Sequence, residues 1–501
     1  MRDFSTEHKM LAVILFCSLT ASLFAACTMT GTNPETASAA SSASDSSLTE
    51  SISTIEIDID YNEEDSELIS LNGDSASSDS SSVKIDGSVI TIKDKGTYKI
   101  SGTLNDGYIV VDAGDSDDVT LVFDGASITS TDYAALYCLN ADNVYIILED
   151  GTENTLANTG DYDSKDDNNV DGAIFAKTDI TINGTGSLKV ESEDHGIVGK
   201  DDVAIVGGTI EINAESDGIQ ANDSVVIRDA VIYIFCGKDG IQSDNDDDSS
   251  KGYVYISSGE ITIEAGDDGI TASSSLQIDG GIVDIADSYE GLEGQNIVIN
   301  GGNIKISSSD DAINAVSSTS SGEMFASDGS TLVINGGEIY LMTGGDGVDS
   351  NGTFDMTGGT LIVMGPEMGA NGSLDVNGSA TITGGTVIMA GASGMATNFT
   401  SATQGAVLLT VGNQSEGSKI EVTDGSGNVI LSSEAASSYQ TILVSSPDMT
   451  TGNSYTFTAG NYTETITLEE NIYGSGSGFG GPGEGFGGPN GGGEPGSGFP
   501  G

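Results

Sequence analysis

The sequence is poor in basic residues. It has 15 lysines and arginines against 77 aspartates and glutamates, which gives a formal net charge of −62 at pH 7. So acidic a chain argues against nucleic acid, and against an anionic membrane surface, as a direct partner. It favours divalent cations as partners, although the same charge also serves simply to keep a Ser- and Gly-rich protein soluble.

Cysteine, histidine and tryptophan are scarce as well. The chain has four cysteines, two histidines and no tryptophan. Two of the cysteines lie in the N-terminal segment, and the other two, Cys138 and Cys236, fall at different phases of the repeat described below. We therefore predict that they are small buried hydrophobic residues rather than a disulfide. Because His8 and His195 are the only imidazoles, a zinc site is not expected.

Long apolar runs are missing except at the N-terminus. Arg2 and Lys9 precede an apolar run over residues 10–26, which is typical of a bacterial export signal. The segment before Cys27 resembles a lipobox, so residues 1–27 are predicted to be a lipoprotein signal with Cys27 as the lipidated residue. A plain secretory signal and an uncleaved anchor remain alternatives. No other segment approaches the length of a membrane span.

Both flanking regions have the composition of disordered chain. Residues 28–51 are rich in Ser, Thr and Ala with almost no aliphatics, which predicts a disordered tether because such a segment buries too little to fold. Residues 471–501 are rich in Gly and Pro and are predicted to be a disordered tail. Together with the signal, the tether predicts an extracellular, cell-surface lipoprotein that touches the cytoplasmic membrane only through its N-terminal lipid.

The central part of the chain repeats itself about every 22 residues. Each copy opens with an acidic residue, followed closely by a small residue and an aliphatic one. A fixed period of this size indicates a stacked solenoid, in which recurring residues form lines in space. The acidic residues that open the copies are Asp194, Asp217, Asp239, Asp268, Glu290, Asp311 and Asp346.

Each copy divides into three short β-runs separated by turns. Alternate aliphatics in these runs would point inward and stack on their equivalents in neighbouring coils. Glycine pairs such as Gly207-Gly208 and Gly301-Gly302 recur at one corner, where glycine tolerates a positive φ. Similar β-runs without a helical period begin near residue 52. The sequence therefore predicts an all-β parallel β-helix over residues 52–396, and a C-terminal β cap over residues 397–470 that covers the last coil.

Two copies of the repeat are longer than the others. Extra residues, 245–251 in one copy and 317–328 in the other, follow shortly after the acidic residue. Insertions that share one edge of a solenoid usually mark a binding face, although they are also tolerated as plain surface loops.

Stacking places the acidic residues in a file along one edge. Two carboxylates about 5 Å apart repel by about 3 kcal/mol at an effective dielectric of about 20, so the file needs compensation. Calcium fits best, because it takes six to eight oxygen ligands with flexible geometry. Solvated Asp-Gly turns are the alternative for any single aspartate. The candidate calcium ligands are Asp217, Asp239, Asp244, Asp267, Asp268, Glu290, Glu293, Asp310, Asp311 and Asp346.

Several segments in combination resemble the clostridial carbohydrate-binding β-helix proteins. The resemblance covers most of residues 65–465, with Ala312 where glycine is commoner. It implies a right-handed parallel β-helix similar to polysaccharide lyases, calcium held by the coils at the Asp-Gly residues, Glu290 and Glu293, and binding of cellulose-like or pectic polysaccharide. The segments begin at Gly96 (GTYKISGTL), Glu149 (EDGTENTL), Ile182 (INGTGSL), Ser249 (SSKGY), Asp287 (DSYEGLEG) and Ser308 (SSDDAINA).

The resemblance favours a calcium-dependent binding protein without catalysis. An acidic surface would repel polyuronate, so pectin binding requires calcium to bridge the two sets of carboxylates. Because tryptophan is absent, tyrosines are the candidate platforms for sugar rings, although a tyrosine in a strand is more often packed. The candidate polysaccharide-binding residues are Gln220, Gln242, Tyr253, Tyr289 and Asn314.

Two other functions remain open. A calcium-dependent polysaccharide lyase would use Lys238 or Lys251 as its base, but neighbouring carboxylates raise a lysine's pKa, which is unfavourable for a base. A surface scaffold or adhesin with structural calcium is the other alternative.

Overall fold

A computed structural model describes residues 66–245, 247–317 and 327–474. The predicted signal and tether, most of the second insertion and residues 475–501 of the predicted tail lie outside these ranges. Strands make up the regular structure. Within the described ranges, no helix has the length and hydropathy needed to cross a membrane.

Ten strands form the N-terminal part of the solenoid: β1 (Glu67–Gly73), β2 (Ala76–Ser77), β3 (Val83–Asp86), β4 (Val89–Ile92), β5 (Gly96–Leu104), β6 (Tyr108–Asp112), β7 (Val119–Ser130), β8 (Leu136–Asn140), β9 (Asn143–Leu148) and β10 (Glu153–Asn158). The pairs β1–β2 and β3–β4 are antiparallel. In contrast, β1 pairs with β5, and β5 with β7, in parallel. Parallel stacking therefore begins well before the repeat is visible in the sequence.

The regular coils follow with 25 strands. They are β11 (Gly172–Ala176), β12 (Asp179–Gly184), β13 (Ser187–Ser192), β14 (His195–Gly199), β15 (Asp202–Ile205), β16 (Thr209–Ala214), β17 (Ile219–Ala221), β18 (Ser224–Ile227), β19 (Val231–Cys236), β20 (Ile241–Ser243), β21 (Tyr253–Ile256), β22 (Glu260–Glu264), β23 (Ile270–Ile278), β24 (Ile282–Ser288), β25 (Leu292–Ile299), β26 (Asn303–Ser308), β27 (Ile313–Ala315), β28 (Thr331–Ile334), β29 (Glu338–Thr343), β30 (Asp349–Ser350), β31 (Thr353–Met356), β32 (Thr360–Met364), β33 (Asp375–Val376), β34 (Ala380–Ile382) and β35 (Thr386–Gly391).

Each coil contributes one strand to each of three faces. Face 1 contains β14, β17, β20, β27 and β30, face 2 contains β15, β18, β21 and β28, and face 3 contains β13, β16, β19, β22, β24, β26, β29 and β32. The long strands β23 and β25 supply face 1 with their first residues and face 2 with their last. Strands on one face pair in parallel with the equivalent strands of neighbouring coils. The predicted all-β parallel β-helix is confirmed.

Inward side chains stack in register through the coils. Neighbouring coils lie about 4.8 Å apart, and burying one isoleucine contributes about 1.5–3 kcal/mol. Each coil therefore closes the apolar core of the next. On face 3 the ladder consists of Val190, Ile212, Ile234, Ile263, Ile285 and Ile306, all fully buried.

Face 2 turns into face 3 at the predicted glycine pairs. The second glycine of each pair has φ between +80° and +95°, a region in which a side chain would be strained. This confirms the predicted corner. The glycines are Gly208, Gly281, Gly302, Gly337, Gly359 and Gly385.

Small residues precede each strand of face 1 for a different reason. A Cβ built on Gly218 would lie 2.6 Å from the carbonyl oxygen of Gly240 in the next coil, and closer still to Cγ2 of Ile234 on face 3. Where Ala312 takes this position, the register places Leu341 at the equivalent of Ile234. Leucine is not branched at Cβ, which leaves room for the alanine methyl group. Glycines in the same environment as Gly218 are Gly196, Gly240, Gly269, Gly291 and Gly347.

The C-terminal cap is formed by β36 (Ser401–Ala402), β37 (Gly405–Gln414), β38 (Lys419–Asp424), β39 (Val429–Glu434), β40 (Tyr439–Ser446), β41 (Ser454–Ala459), β42 (Tyr462–Thr467) and β43 (Ile472–Tyr473). β40 pairs antiparallel with β35 and covers its edge. β38, β39, β41 and β42 form a separate antiparallel sheet, whose apolar residues share a buried cluster with β32, β35, β37 and β40. The predicted cap is present, and covering the last strand prevents pairing with another chain.

Neither cysteine of the folded part forms a disulfide. Cys138 and Cys236 are free, Cys138 fully buried and Cys236 partly buried.

The predicted tail begins later than expected. Residues 472 and 473 were assigned to the tail, but they form β43, which pairs with β37. Alternation over two residues is too short a sequence signal to predict this strand.

We expect Gly218→Ala to destabilise the protein by about 1–3 kcal/mol, because the new methyl group meets both the next coil and Ile234. Differential scanning calorimetry measures this loss as a lower melting temperature.

The matched variant Gly218→Ala/Ile234→Leu reproduces the pair found at Ala312 and Leu341. Ile234→Leu alone should cost less than about 1.5 kcal/mol, and the double variant should regain part of the loss caused by Gly218→Ala. A double variant that melts no higher than Gly218→Ala would show that the branched methyl group is not the obstacle.

Candidate functional site

The acidic residues of the repeat lie where face 3 turns into face 1, here called the acidic corner. Face 1 turns into face 2 at the insertion corner, where the chain between β20 and β21 and the chain between β27 and β28 carry the two insertions. Three-residue strands such as β17 separate the two corners by about 10 Å. The insertions therefore share one edge, as predicted, next to the acidic corner but distinct from it.

The short aspartate side chain explains why it recurs at the acidic corner. Asp217 Oδ1 accepts a hydrogen bond from the N–H of Asp239 at 3.1 Å, and Asp239 Oδ1 accepts one from the N–H of Asp268 at 3.0 Å. The same bond joins Asp268 to Glu290. Each aspartate thus links its coil to the next with one oxygen, and its second oxygen remains for another partner.

The file begins with a histidine instead of the predicted Asp194. The backbone carbonyl of Asp194 accepts from the N–H of Ser216, so Asp194 lies one position before the file. His195 occupies the position equivalent to Asp217, with its Nδ1 3.0 Å from Asp217 Oδ2. Burial opposes protonation of His195, but Asp217, Asp194 and Asp171 together outweigh it and raise the pKa of His195. The sequence suggested Asp194 because the acidic residue of this copy stands two residues before the glycine, with His195 between them.

A second line of polar side chains runs along the outer side of face 1. Gln220 Nε2 donates to Gln242 Oε1 at 3.1 Å. Asn314 Nδ2 donates to Glu290 Oε2 at 2.8 Å and to Glu293 Oε2 at 3.4 Å. This line therefore extends the acidic corner across face 1. In register order it contains Gln220, Gln242, Thr271, Glu293, Asn314 and Asp349.

The two lines form three carboxylate clusters. In each cluster, one oxygen from every residue lies within 4.8 Å of the others. Asp268 is shared by two clusters. Seven of the ten predicted calcium ligands meet here, together with Asp349, which was not among the predicted ligands. The clusters are Asp239–Asp267–Asp268, Asp268–Glu290–Glu293 and Asp311–Asp346–Asp349.

Burial and crowding make these groups hard to ionise. Burial, followed by the charge of neighbouring carboxylates, raises the pKa of Asp268 to about 7. Burial and a hydrogen bond with Glu293 raise the pKa of Glu290 to about 7. In the third cluster, burial and the neighbouring acids raise the pKa of Asp346 to about 7 and that of Asp349 to about 8. A bound cation would remove this cost.

One buried acceptor at these clusters has no hydrogen-bond partner. Asn314 is only 8% exposed, and its Oδ1 accepts no hydrogen bond. Its Nδ2 is bound to the Glu290–Glu293 side, so Oδ1 faces the other way, toward the coil of its register partner Asp349. Leaving a buried acceptor unpaired costs about 1–3 kcal/mol. An amide oxygen beside carboxylates is a ligand that calcium accepts.

Three predicted ligands lie outside the clusters. Asp217 is buried against His195. Asp310 forms a hydrogen bond with Tyr289. Asp244 is exposed just after β20, on the side of the insertion corner. All three lie close to the clustered residues in sequence. In the structure, Asp217 and Asp310 contact other partners and Asp244 lies on another edge.

The predicted tyrosines and lysines are divided between the acidic corner and the insertion corner. Tyr289 is 48% exposed at the acidic corner, where the hydrogen bond with Asp310 raises the pKa of Tyr289 to about 12. Tyr253 begins β21 at the insertion corner and is partly buried. Lys238 is exposed one residue before Asp239. Lys251 forms an ion pair with Asp223, and that hydrogen bond raises the pKa of Lys251.

Sequence reasoning missed a fourth carboxylate cluster at the insertion corner. It contains Asp179, Asp201 and Asp202. Burial and a hydrogen bond with Asp223 raise the pKa of Asp201 to about 7. The doublet Asp201-Asp202 has the same form as the doublet Asp267-Asp268, so this pattern was the signal that could have identified it.

The raised pKa values predict how stability depends on pH without divalent cations. Between about pH 5 and pH 8 the folded chain should hold protons that the unfolded chain has lost, so stability should be high at the lower pH and fall as pH rises. Melting temperatures measured in chelator across this range should therefore decrease.

Asp349→Asn removes the carboxyl group with the pKa of about 8. The melting temperature of this variant in chelator should therefore decrease less than that of wild type between about pH 7 and pH 8. A melting temperature that rises from pH 5 to pH 8 in chelator would contradict the protonated corner.

Comparison with known proteins adds an independent finding. Residues 86–331 match the family model described as carbohydrate-binding domain-containing protein. A protein of the same description from Acetivibrio thermocellus is 40% identical over 122 residues, which are 24% of this chain and 43% of that protein. The chain therefore spans less than half the length of that relative.

A solved structure is also similar. It is the polysaccharide lyase-like protein from C. thermocellum, as a gadolinium derivative, with 29% identity and a TM-score of 0.41 over 58% of this chain and 96% of the other. The family match includes the coils that carry Asp268, Glu290 and Asn314. Residues 86–331 are thus similar to the carbohydrate-binding domain family.

Proposed function

We propose that the protein binds polysaccharide along the acidic corner through calcium ions held by the three carboxylate clusters. The observation that carries the proposal is the buried, unpaired Oδ1 of Asn314 next to carboxylates that lie within 4.8 Å of one another. Neither feature is favourable without a cation. The similarity of residues 86–331 to the carbohydrate-binding domain family supplies the ligand class.

Calcium suits the donors at this corner better than other common cations. The donors are carboxylate and amide oxygens from adjacent coils, and calcium accepts six to eight such oxygens with variable geometry. Magnesium requires a stricter octahedron, and zinc favours nitrogen or sulfur ligands. Asp268, Glu290 and Glu293 would hold one ion. Asp311, Asp346 and Asp349, joined by Oδ1 of Asn314, would hold another. A bound ion would supply positive charge on an otherwise acidic surface.

The two lines offer a polysaccharide different chemistry along their length. From Gln220 to Asp349 the outer line of face 1 crosses five coil steps, or about 24 Å. The amides of Gln220 and Gln242 can exchange hydrogen bonds with hydroxyl groups. At the carboxylate end, calcium would accept uronate carboxylates. Tyr289, exposed beside Glu290, presents a ring to a sugar face. We therefore propose pectic polyuronate as the ligand of the acidic corner, and cellulose-like glucan as a further ligand of the protein.

Binding without catalysis is the simpler form of the proposal. A lyase needs a lysine with a lowered pKa, whereas the ion pair with Asp223 raises the pKa of Lys251. Lys238 stays the candidate base of the lyase alternative. A scaffold or adhesin with structural calcium would share the ion sites but show no affinity for polysaccharide.

We also propose that the protein is displayed on the cell surface through lipidation of Cys27. The support is the apolar run over residues 10–26 and the lipobox-like segment before Cys27. Radiolabelled palmitate should enter the wild-type protein but not Cys27→Ser, and release of the wild-type protein into the medium without lipid would contradict this anchoring.

Calcium should raise the melting temperature of the protein far more than magnesium does. An ion present at about 100 times its dissociation constant stabilises the folded state by about 2.7 kcal/mol. Calorimetry with calcium or magnesium added to chelator-treated protein measures the difference.

Glu290→Gln should weaken the calcium effect by at least about tenfold in apparent affinity, since it removes a charged ligand. Asp355→Asn is the matched control, because Asp355 lies on β31 outside the clusters. Equal calcium responses of these two variants would reject the assignment of the ion to Glu290.

Polygalacturonate should bind in calcium and not in chelator. Affinity electrophoresis through gels with polygalacturonate, with and without calcium, measures the retardation, and Asp268→Asn should reduce it. Absorbance near 235 nm in the same mixtures reports unsaturated product, so a rise would favour the lyase. Calcium stabilisation without retardation on any polysaccharide would favour the scaffold.

A further inference from the structure

Face 3 carries an exposed apolar stripe on β19. The outward residues of this strand are Val231, Tyr233 and Phe235, since Ile232 and Ile234 point into the core. Tyr233 is 37% exposed and Phe235 is partly exposed. Neither ring belongs to a buried cluster in the part of the chain that the structure describes. Residues two apart on a strand are about 6.6 Å apart, so the two rings lie side by side on the surface.

Polar side chains border the stripe on both sides. In register, β16 places Glu211 and Asn213 next to Tyr233 and Phe235. On the other side, β22 places Thr262 and Glu264 against the same two residues. Asn213 Nδ2 donates to Glu211 Oε1 at 3.0 Å. Aromatic rings flanked by acceptors suit a ligand with apolar faces and hydroxyl edges, as a sugar ring has.

The charge around the stripe selects the kind of glycan. Glu211, Glu260 and Glu264 border it. Lys189, two strands away on β13, is engaged with Glu191 and Glu211. The four carboxylate clusters of the described residues include no residue of face 3 apart from those at its corners. A polyuronate would therefore meet uncompensated carboxylates here, whereas a neutral glycan would not.

Charge also disfavours a second copy of the chain as the occupant. Two copies facing each other across β19 would bring glutamates against glutamates, and each chain has a net charge of −62. Such like-charge contacts are unfavourable across an interface.

We propose that Tyr233 and Phe235 form a second glycan-binding surface, which takes neutral polysaccharide without calcium. The proposal rests on the proposed function only for the ligand class, because it uses another face and no ion. The chain would then bind acidic and neutral polysaccharides at separate places.

Affinity electrophoresis in hydroxyethylcellulose, a soluble neutral β-glucan, tests this surface in chelator. Wild-type protein should be retarded. Tyr233→Ala/Phe235→Ala should bind about tenfold more weakly, and Tyr233→Phe should stay within about twofold of wild type because the ring is retained. Tyr473→Ala is the matched control, since Tyr473 is 38% exposed but lies in the cap. Melting temperatures show whether each variant is folded.

Three results would overturn the proposal. They are no retardation of wild-type protein in chelator, equal retardation of wild type and the folded double variant, and a change of oligomeric state in the double variant measured by light scattering. If wild-type protein binds polygalacturonate with calcium but not the neutral glucan, only this second surface is wrong. Failure to bind polygalacturonate with calcium contradicts the acidic-corner proposal instead.

Discussion

The parallel stacking of coils about 4.8 Å apart is the constraint on which the rest of the structure depends. It places every recurring side chain directly against its own equivalent. For the inward isoleucines this produces a continuous core, and for Gly218 and its equivalents it excludes a Cβ. For the acidic residues it produces close, unfavourable contacts between like charges. The same geometry thus stabilises the rod and creates an edge that needs counter-charge.

At the acidic corner, backbone amides offset part of the repulsion between the carboxylates. One oxygen of Asp217, Asp239 and Asp268 accepts an amide N–H from the following coil. These bonds stabilise the ionised carboxylates locally, but burial still dominates and raises the pKa of Asp239 to about 6 and that of Asp268 to about 7. The corner is therefore part of the fold, and it is also the place where a bound cation would offset the largest repulsion between carboxylates.

The sequence predicts what depends on the period and misses what depends on local register. The spacing was enough to identify the parallel β-helix, the glycine corners and the clustered residues Asp268, Glu290 and Asp311. It misplaced Asp194, because His195 stands between Asp194 and the glycine and takes the position equivalent to Asp217. Asp349 was not among the predicted ligands, since its position in the cluster follows only from the register of β27 with β30. The insertion-corner cluster around Asp201 lies at a different corner from the acidic file, so the residues that open each copy do not mark it. The stripe at Tyr233 could not be separated from ordinary strand packing without knowing which face is covered.

The contact between Gly218 and Ile234 has a consequence for how such a rod grows. Both residues belong to the same coil, 16 positions apart. Toward the next coil, Gly218 faces a backbone carbonyl, which any residue provides. A gene segment encoding one whole coil therefore carries both complementary partners with it. Duplication of that segment lengthens the rod without requiring matched changes elsewhere, and each added coil extends the row of ligands along the edge.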